Sequence, residues 1–375
     1  MSQRTGEVVV VGGGVIGCAI AFELTRRGLG VVVVERGPIG GEASWASAGI
    51  ISLPARIDMP PERVEITRRG LERYPALVAE LEERTGLAIE YRRSGELAIA
   101  VDEEHANRVN ERAQWQRGLG FTVEELDPRA AREVEPALPP DVAAAWFAPE
   151  VGALSVHRLT QALATAAAQQ GATVLAETPV VSVTHQDGRV TGVQLVDRHL
   201  SADTVVLATG AWTVFFGDAL KAPLPTKPIK GQLIAFAGPP VRPSHIITGH
   251  GGYVRPRADG TTVVAATEED AGFDRRVTGD GVAWLIGLAR TLCPNLLSGE
   301  VAETWTGLRP GTVGQQPLMG PVPGYEGLWV ATGHFRTGAK EAPGTAELIA
   351  SSLTSGRLDP LLARFAPSLG PDGRG

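Results

Sequence analysis

Lysine is scarce in this chain: among 35 basic residues only Lys221, Lys227, Lys230 and Lys340 are lysines, and 42 acidic residues leave a net charge of -7. With no basic block, the electrostatic footprint of a nucleic-acid partner is missing. Cysteine is scarcer still. Cys18 and Cys293 stand alone in apolar or helical contexts without CxxC spacing, which argues against a disulfide framework or a metal site and fits a reducing cytoplasm. Neither a membrane span nor a signal peptide is expected. The run Val8 to Leu24 is apolar, but Gly12, Gly13, Gly14 and Gly17 interrupt it and a strand-like segment follows. No internal repeat, long linker or compositionally disordered stretch breaks the chain.

What remains is a chain of 375 residues with 43% apolar content, enough for two or three domains around a sizeable core. The segment EVVVVGGGVIGCAIAFELTRRGLGVVVVER reads strand, turn, helix, strand. Val8 to Val11 form the β-branched run of a parallel strand buried on both faces. Gly12, Gly14 and Gly17 match G-x-G-x-x-G, and Val15 and Ile16 begin a helix whose free N–H groups suit a pyrophosphate. Glu35, followed by Arg36, closes the second strand where a carboxylate accepts hydrogen bonds from ribose hydroxyls and disfavours a 2′-phosphate.

Two later features select FAD over NAD. GEASWASAGI, residues 41 to 50, supplies Ala43, Ser44, Ala48, Gly49 and Ile50, small or apolar residues against which a tricyclic ring and its diphosphate can lie. ADTVVLATGAW then places a buried strand, Val205 to Ala208, ahead of Thr209 and Gly210. A tightly held flavin that spans the domain needs both. Helices are expected over 61 to 86 and 103 to 118 and in HRLTQALATAAAQQGA, closed by Gly171. The alternation in TVLAETPVVSVTHQDGRVTGVQLVD suggests a hairpin about Asp187-Gly188. GQLIAF, HIITG, GGYVRPR and TTVVAAT follow Pro228 as a second β-rich region, whose antiparallel strands suit a domain roofing the cofactor.

With these motifs in order, joined by KGQ (230 to 232), GLRPGT (307 to 312) and GHFRTG (333 to 338), the chain resembles the FAD-dependent D-amino-acid oxidase superfamily, and within it the glycine oxidase group of the thiamine-biosynthesis type. The likeness runs from Val8 to the helix after Pro343. It implies an α/β fold: a Rossmann-type FAD-binding domain (1–85, 146–222 and 303–375) and an α+β substrate domain carrying an antiparallel sheet (86–145 and 223–302). It also implies FAD as cofactor and assigns Arg309 and Tyr253 to the substrate carboxylate, with Arg336 at the substrate. Val180, after Thr178-Pro179, matches the position whose backbone meets adenine, and His334, Phe335, Thr337, Gly338, Ala339 and Lys340 border the flavin. A guanidinium fork and a phenol are the donors a carboxylate needs, and hydride transfer from a neutral amine requires no strong protein base. Arg309 and Arg336, set between glycines, read as functional rather than as surface salt bridges.

The chain departs from the family at several points. Ala339-Lys340-Glu341 replaces an apolar Ile-Leu-Leu. A lysine in the first helical turn opposes the dipole by roughly 0.3–1 kcal/mol, so it either raises the potential of the flavin or pairs with Glu341 on the surface. Val313-Gly314-Gln315-Gln316 replaces Pro-Asp-Gly, in a loop that borders the flavin. Glu268 is expected to join Glu269 and Asp270 on a solvated turn, the other reading being attraction of a substrate amine. His245 and His250, without carboxylate partners in the sequence, read as loop residues.

The leading reading is oxidation of glycine or other small or D-amino acids, with N-methylglycine a further candidate, to a 2-oxo acid, ammonia and hydrogen peroxide, O2 being the acceptor. A quinone-linked D-amino-acid dehydrogenase and a flavin-binding subunit without amine oxidation of its own stay open as alternatives, since fold alone does not assign function. Relatives imply a homo-oligomer, commonly a tetramer.

Overall fold

The computed structural model describes residues 7–368. Its organising element is a six-stranded sheet in the order Leu318–Pro321, Leu328–Thr332, Thr204–Leu207, Val8–Val11, Val31–Val34, Thr173–Leu175. All neighbours are parallel except the first pair. Val8 pairs with Thr204 on one side and Val31 on the other, so both valine runs are central and wholly buried. A strand covered on both faces needs apolar side chains in both directions, which explains the unbroken valines. Val8 and Val10 pack with the helices Val15–Arg26, Val156–Gln169, Pro61–Thr85 and Gly338–Ser355. Val9 and Val11 point the other way, into a cluster with Val183, Val190, Val193 and Leu195 of a three-stranded antiparallel sheet.

The alternation from Thr173 onward divides in the structure. Thr173–Leu175 is the edge strand of the parallel sheet, and the hairpin proper is Val180–Gln186 with Arg189–Leu195, turning at Asp187-Gly188. Three residues are too few for periodicity to separate an edge strand from its neighbour.

An eight-stranded sheet follows the order Glu300–Thr312, Thr226–Ala237, Thr262–Ala265, Gly252–Pro256, Ile246–Gly249, Glu96–Ala100, Ala144–Ala148, Glu124–Leu126. It is antiparallel except where Ile246–Gly249 runs parallel to Glu96–Ala100. Its longest pairing joins Thr226–Ala237 to Glu300–Thr312 and sets Gly231 opposite Gly307 and Ile229 opposite Arg309. The expected borders at 146 and 303 fall inside the strands Ala144–Ala148 and Glu300–Thr312, both members of this sheet. The helices expected over 61 to 86 and 103 to 118 form as Pro61–Thr85 and Glu103–Gly118. The first opens with proline in its first turn and ends at Gly86 in the left-handed region, while Asp102 caps the second through the His105 N–H. Among the described residues no helix is long and apolar enough to cross a membrane.

Candidate active site

The turn after the first strand brings three chain segments together. Gly12 has φ +110°, and a Cβ on Gly17 would run into the Gly12 carbonyl, so both positions require glycine. The helix Val15–Arg26 starts at Gly14 with no side-chain cap on its free N–H groups apart from Ser44 Oγ, which accepts from Val15 N at 3.0 Å. Glu35 accepts from Gly13 N at 2.7 Å and from Gly37 N at 3.0 Å, one bond per oxygen, leaving lone pairs on both. Arg36 lies 3.9 Å from the Trp212 ring centroid and pairs with Glu42 at 2.7 Å.

These groups lie along a continuous cavity of about 1330 Å³. Tyr253, Arg309 and Arg336 line the same cavity, as do Ala48, Gly49, Ile50 and Gly338 to Lys340. Each residue singled out from sequence for cofactor or substrate borders this cavity except Gly17, which sits behind it in the helix–strand contact. The volume exceeds the usual 300–1,000 Å³ of a drug-sized pocket and suits a dinucleotide. A helix N-terminus with free N–H groups, a carboxylate acceptor with spare lone pairs beside it and a second helix start at Gly338 are the donors and acceptor an FAD molecule needs.

Arg309 reaches the cavity across Gly231, where any Cβ would collide with the guanidinium. Its Nη1 donates to Thr267 O at 3.0 Å, and the Phe335 ring centroid lies 6.0 Å from its Cζ. Burial lowers Arg309 below the usual guanidinium range, opposed by nearby Tyr253. The Tyr253 phenol is pushed up by burial, opposed by the Arg309, Arg336 and Arg255 charges. Arg336 is 47% exposed and forms an ion pair with Glu268, itself 40% exposed. Arg336 thus makes a surface ion pair while lining the same cavity as Tyr253 and Arg309.

The acidic turn is solvated as expected, Glu268 and Asp270 being exposed and Glu269 half-buried, and each carboxylate has a basic partner. Glu268 turns to Arg336, Glu269 pairs at 2.8 Å with the buried Lys230, and Asp270 pairs with Lys227 at 2.5 Å. Nor are the histidines without carboxylates. His245 Nδ1 lies 3.0 Å from Glu135, and His250 stacks on His105 at 3.9 Å with Asp102 beside both. Val101 N donates to His250 Nε2, so the neutral ring carries its proton on Nδ1, toward Asp102. In the substituted loop, Gln315 adopts φ 55° and its side-chain oxygen accepts from Arg56.

The largest correction concerns Lys340 and Glu341. They are 3% and 0% exposed, so the surface pair does not exist. Lys340 Nζ donates to Leu53 O at 2.9 Å and Ser52 Oγ at 3.3 Å. Glu341 turns to different partners, accepting from Arg63 Nε at 3.1 Å and Thr67 Oγ1 at 3.2 Å. Arg63 also donates to Gln315 O, His334 O and Thr337 Oγ1, so one guanidinium ties the long helix to the loops bordering the cavity. Sequence reasoning missed it because an arginine among Arg68, Arg69 and Arg73 on an amphipathic helix looks solvated. Burial pulls His334 down to about 4 and keeps it neutral, with Nε2 on Thr345 Oγ1 at 3.1 Å.

The fold and this cavity define a dinucleotide-binding flavoprotein oxidoreductase. The chain belongs to the family described as FAD dependent oxidoreductase, matched over residues 7–352, and FAD is its cofactor. It is 36% identical to glycine oxidase of Pseudomonas putida over 367 residues, covering 96% of this chain and 98% of the relative. The solved glycine oxidase of Geobacillus kaustophilus superposes with a TM-score of 0.91 at 32% identity, covering 98% of this chain and 99% of that one. Iminodiacetate oxidase from Chelativorans sp. BNC1 superposes at 0.87 with 28% identity, covering 96% and 98%.

Proposed function

We propose that the protein oxidises glycine, or a similarly small amine-bearing acid such as N-methylglycine or D-alanine, with O2 and water to the 2-oxo acid, the free amine and hydrogen peroxide. FAD, when bound, would supply the two-electron acceptor for the amine and the site of reoxidation by O2. The observation that carries the reading is the pairing of Tyr253 and Arg309 in the same cavity. One edge of the Arg309 fork is held by Thr267 O, which leaves the other for a carboxylate, and the phenol adds a further donor. Phe335, within 6.0 Å of the Arg309 guanidinium and 5.4 Å of the Arg336 guanidinium, gives both a flat apolar neighbour and limits where a small substrate can lie. Holding the carboxylate fixes the adjacent carbon, which is what positioning contributes to the rate.

Gly12, Gly14, Val15 and Glu35 would hold the diphosphate and ribose, Val180 the adenine side, and Gly338 to Lys340 the ring. We place the cofactor with the six-stranded sheet and the substrate beneath the eight-stranded one. The free, buried Cys18 and Cys293 support a reducing cytoplasm, and the expected homo-oligomer is a matter for light scattering.

Anaerobic mixing of the holoenzyme with glycine, N-methylglycine, D-alanine and D-proline tests the reading. Bleaching of the flavin band followed by fast recovery and peroxide in air is expected. Recovery only with an artificial quinone would replace it with the dehydrogenase. No bleaching with any substrate would overturn it.

A further inference from the structure

Lys340 stands in the third position of an 18-residue helix whose first turn faces the cavity, at the end where a positive charge is electrostatically disfavoured. It is also buried, and among the described residues it has no ion pair. Its two acceptors, Leu53 O and Ser52 Oγ, are neutral. Glu341 is directed at Arg63 and not at Lys340. Of the charged groups here, Arg63 pairs with Glu341 and Arg112 lies 3.8 Å from the buried Glu96, which leaves the Lys340 ammonium beside the cavity without a partner carboxylate.

An uncompensated buried cation is costly, and so is a position that opposes the helix dipole. Packing does not account for both. The ammonium has three donors, two are taken, and the residue lines the cavity, so the third is available to an acceptor there. The acceptor must be electron-rich to offset the cost.

We propose that Lys340 is a cationic hydrogen-bond donor to the isoalloxazine of bound FAD and raises its reduction potential by favouring the reduced, negatively charged form over the oxidised one. The residue acts on the electronics of the cofactor and holds no substrate. The proposal rests on FAD being the cofactor and is independent of which amine is oxidised.

The charged groups that bear on Lys340 are Glu341 on its own helix, Arg63 on the long helix, Glu96 on the eight-stranded sheet and Arg112 on the helix Glu103–Gly118. Burial is the largest influence and brings the ammonium down to about 8. Reduction adds negative charge nearby and raises that value. Between the oxidised and reduced values, that is above about pH 8, reduction therefore brings one further proton onto the protein.

The test is a substrate-free reductive titration of the holoenzyme against a reference dye. Lys340→Met should lower the reduced-to-oxidised ratio of the flavin at a given dye poise at least tenfold, about 30 mV for a two-electron couple, and Lys340→Arg should recover most of it. A Lys340→Met ratio within twofold of native overturns the proposal. Should Lys340→Met not retain FAD, the native protein decides: one additional proton per two electrons above pH about 8 supports the proposal, and an unchanged proton count up to pH about 10 overturns it. Neither readout uses an amine, so failure of the glycine assignment leaves the result interpretable.

Discussion

Replacing Arg63 with methionine removes the positive partner of a carboxylate that has no exposure to solvent. Glu341 Oε1 would keep only Thr67 Oγ1, and Oε2 already has no hydrogen-bond partner among the described residues. Breaking a buried pair from one side costs about 3–5 kcal/mol because the remaining charge is stranded. The unfolding entropy of a chain of 375 residues is about 0.8 kcal/mol/K at about 2.1 cal/mol/K per residue, so the loss corresponds to a drop in Tm of about 4–6 °C. Replacing both members, Arg63→Met with Glu341→Leu, removes the stranded charge and should recover most of that drop, since apolar replacement of a buried pair is close to neutral. Differential scanning fluorimetry on native, single and double variants at one FAD concentration reads both numbers. A single variant that melts within 1 °C of native, or a double variant no more stable than the single, would refute the reasoning.

Three further outcomes follow from the site. Arg309→Met should lower kcat/KM for the best amino acid at least about 100-fold, because two charge-assisted hydrogen bonds at about 1.5–3 kcal/mol each are lost. Steady-state peroxide assays measure it, and a loss under fivefold would remove Arg309 from substrate binding. Glu268→Gln should leave Tm within about 1 °C, since its pair with Arg336 is exposed, while improving kcat/KM for acids bearing a second carboxylate relative to glycine. Unchanged selectivity would count against a role for Glu268 at the mouth. His334 is held down to about 4 in the folded state, so the unfolded state binds more protons between about pH 6.5 and 4, and stability should fall as pH drops through that window. His334→Gln should flatten that part of the melting profile, and an equal slope in both proteins would reject the assignment.

How far the sequence leads depends on the distance over which each feature is decided. The turn at Gly12 to Gly17 and the valines of Val8–Val11 and Val31–Val34 are set by neighbours within a few residues, and the reading of them stands. Tyr253, Arg309 and Arg336 carry no periodic signal. Their place at one cavity was available only through family resemblance. Arg63 and Glu341, 278 residues apart, were out of reach of either route, since each looks solvated until the other is known. The misplaced exposed pair at 340 and 341 has the same origin: adjacent residues on a helix point about 100° apart, here to different partners.

The cavity draws its walls from Gly12 near one end of the chain and Lys340 near the other. Ribosomes add about 5–20 residues each second, so the last wall trails the first by roughly 15–65 s. For that interval the glycine turn exists without the helix that completes the cavity. The nascent protein must therefore stay unaggregated before it can take up its cofactor, and yellow colour reports that synthesis has passed Lys340.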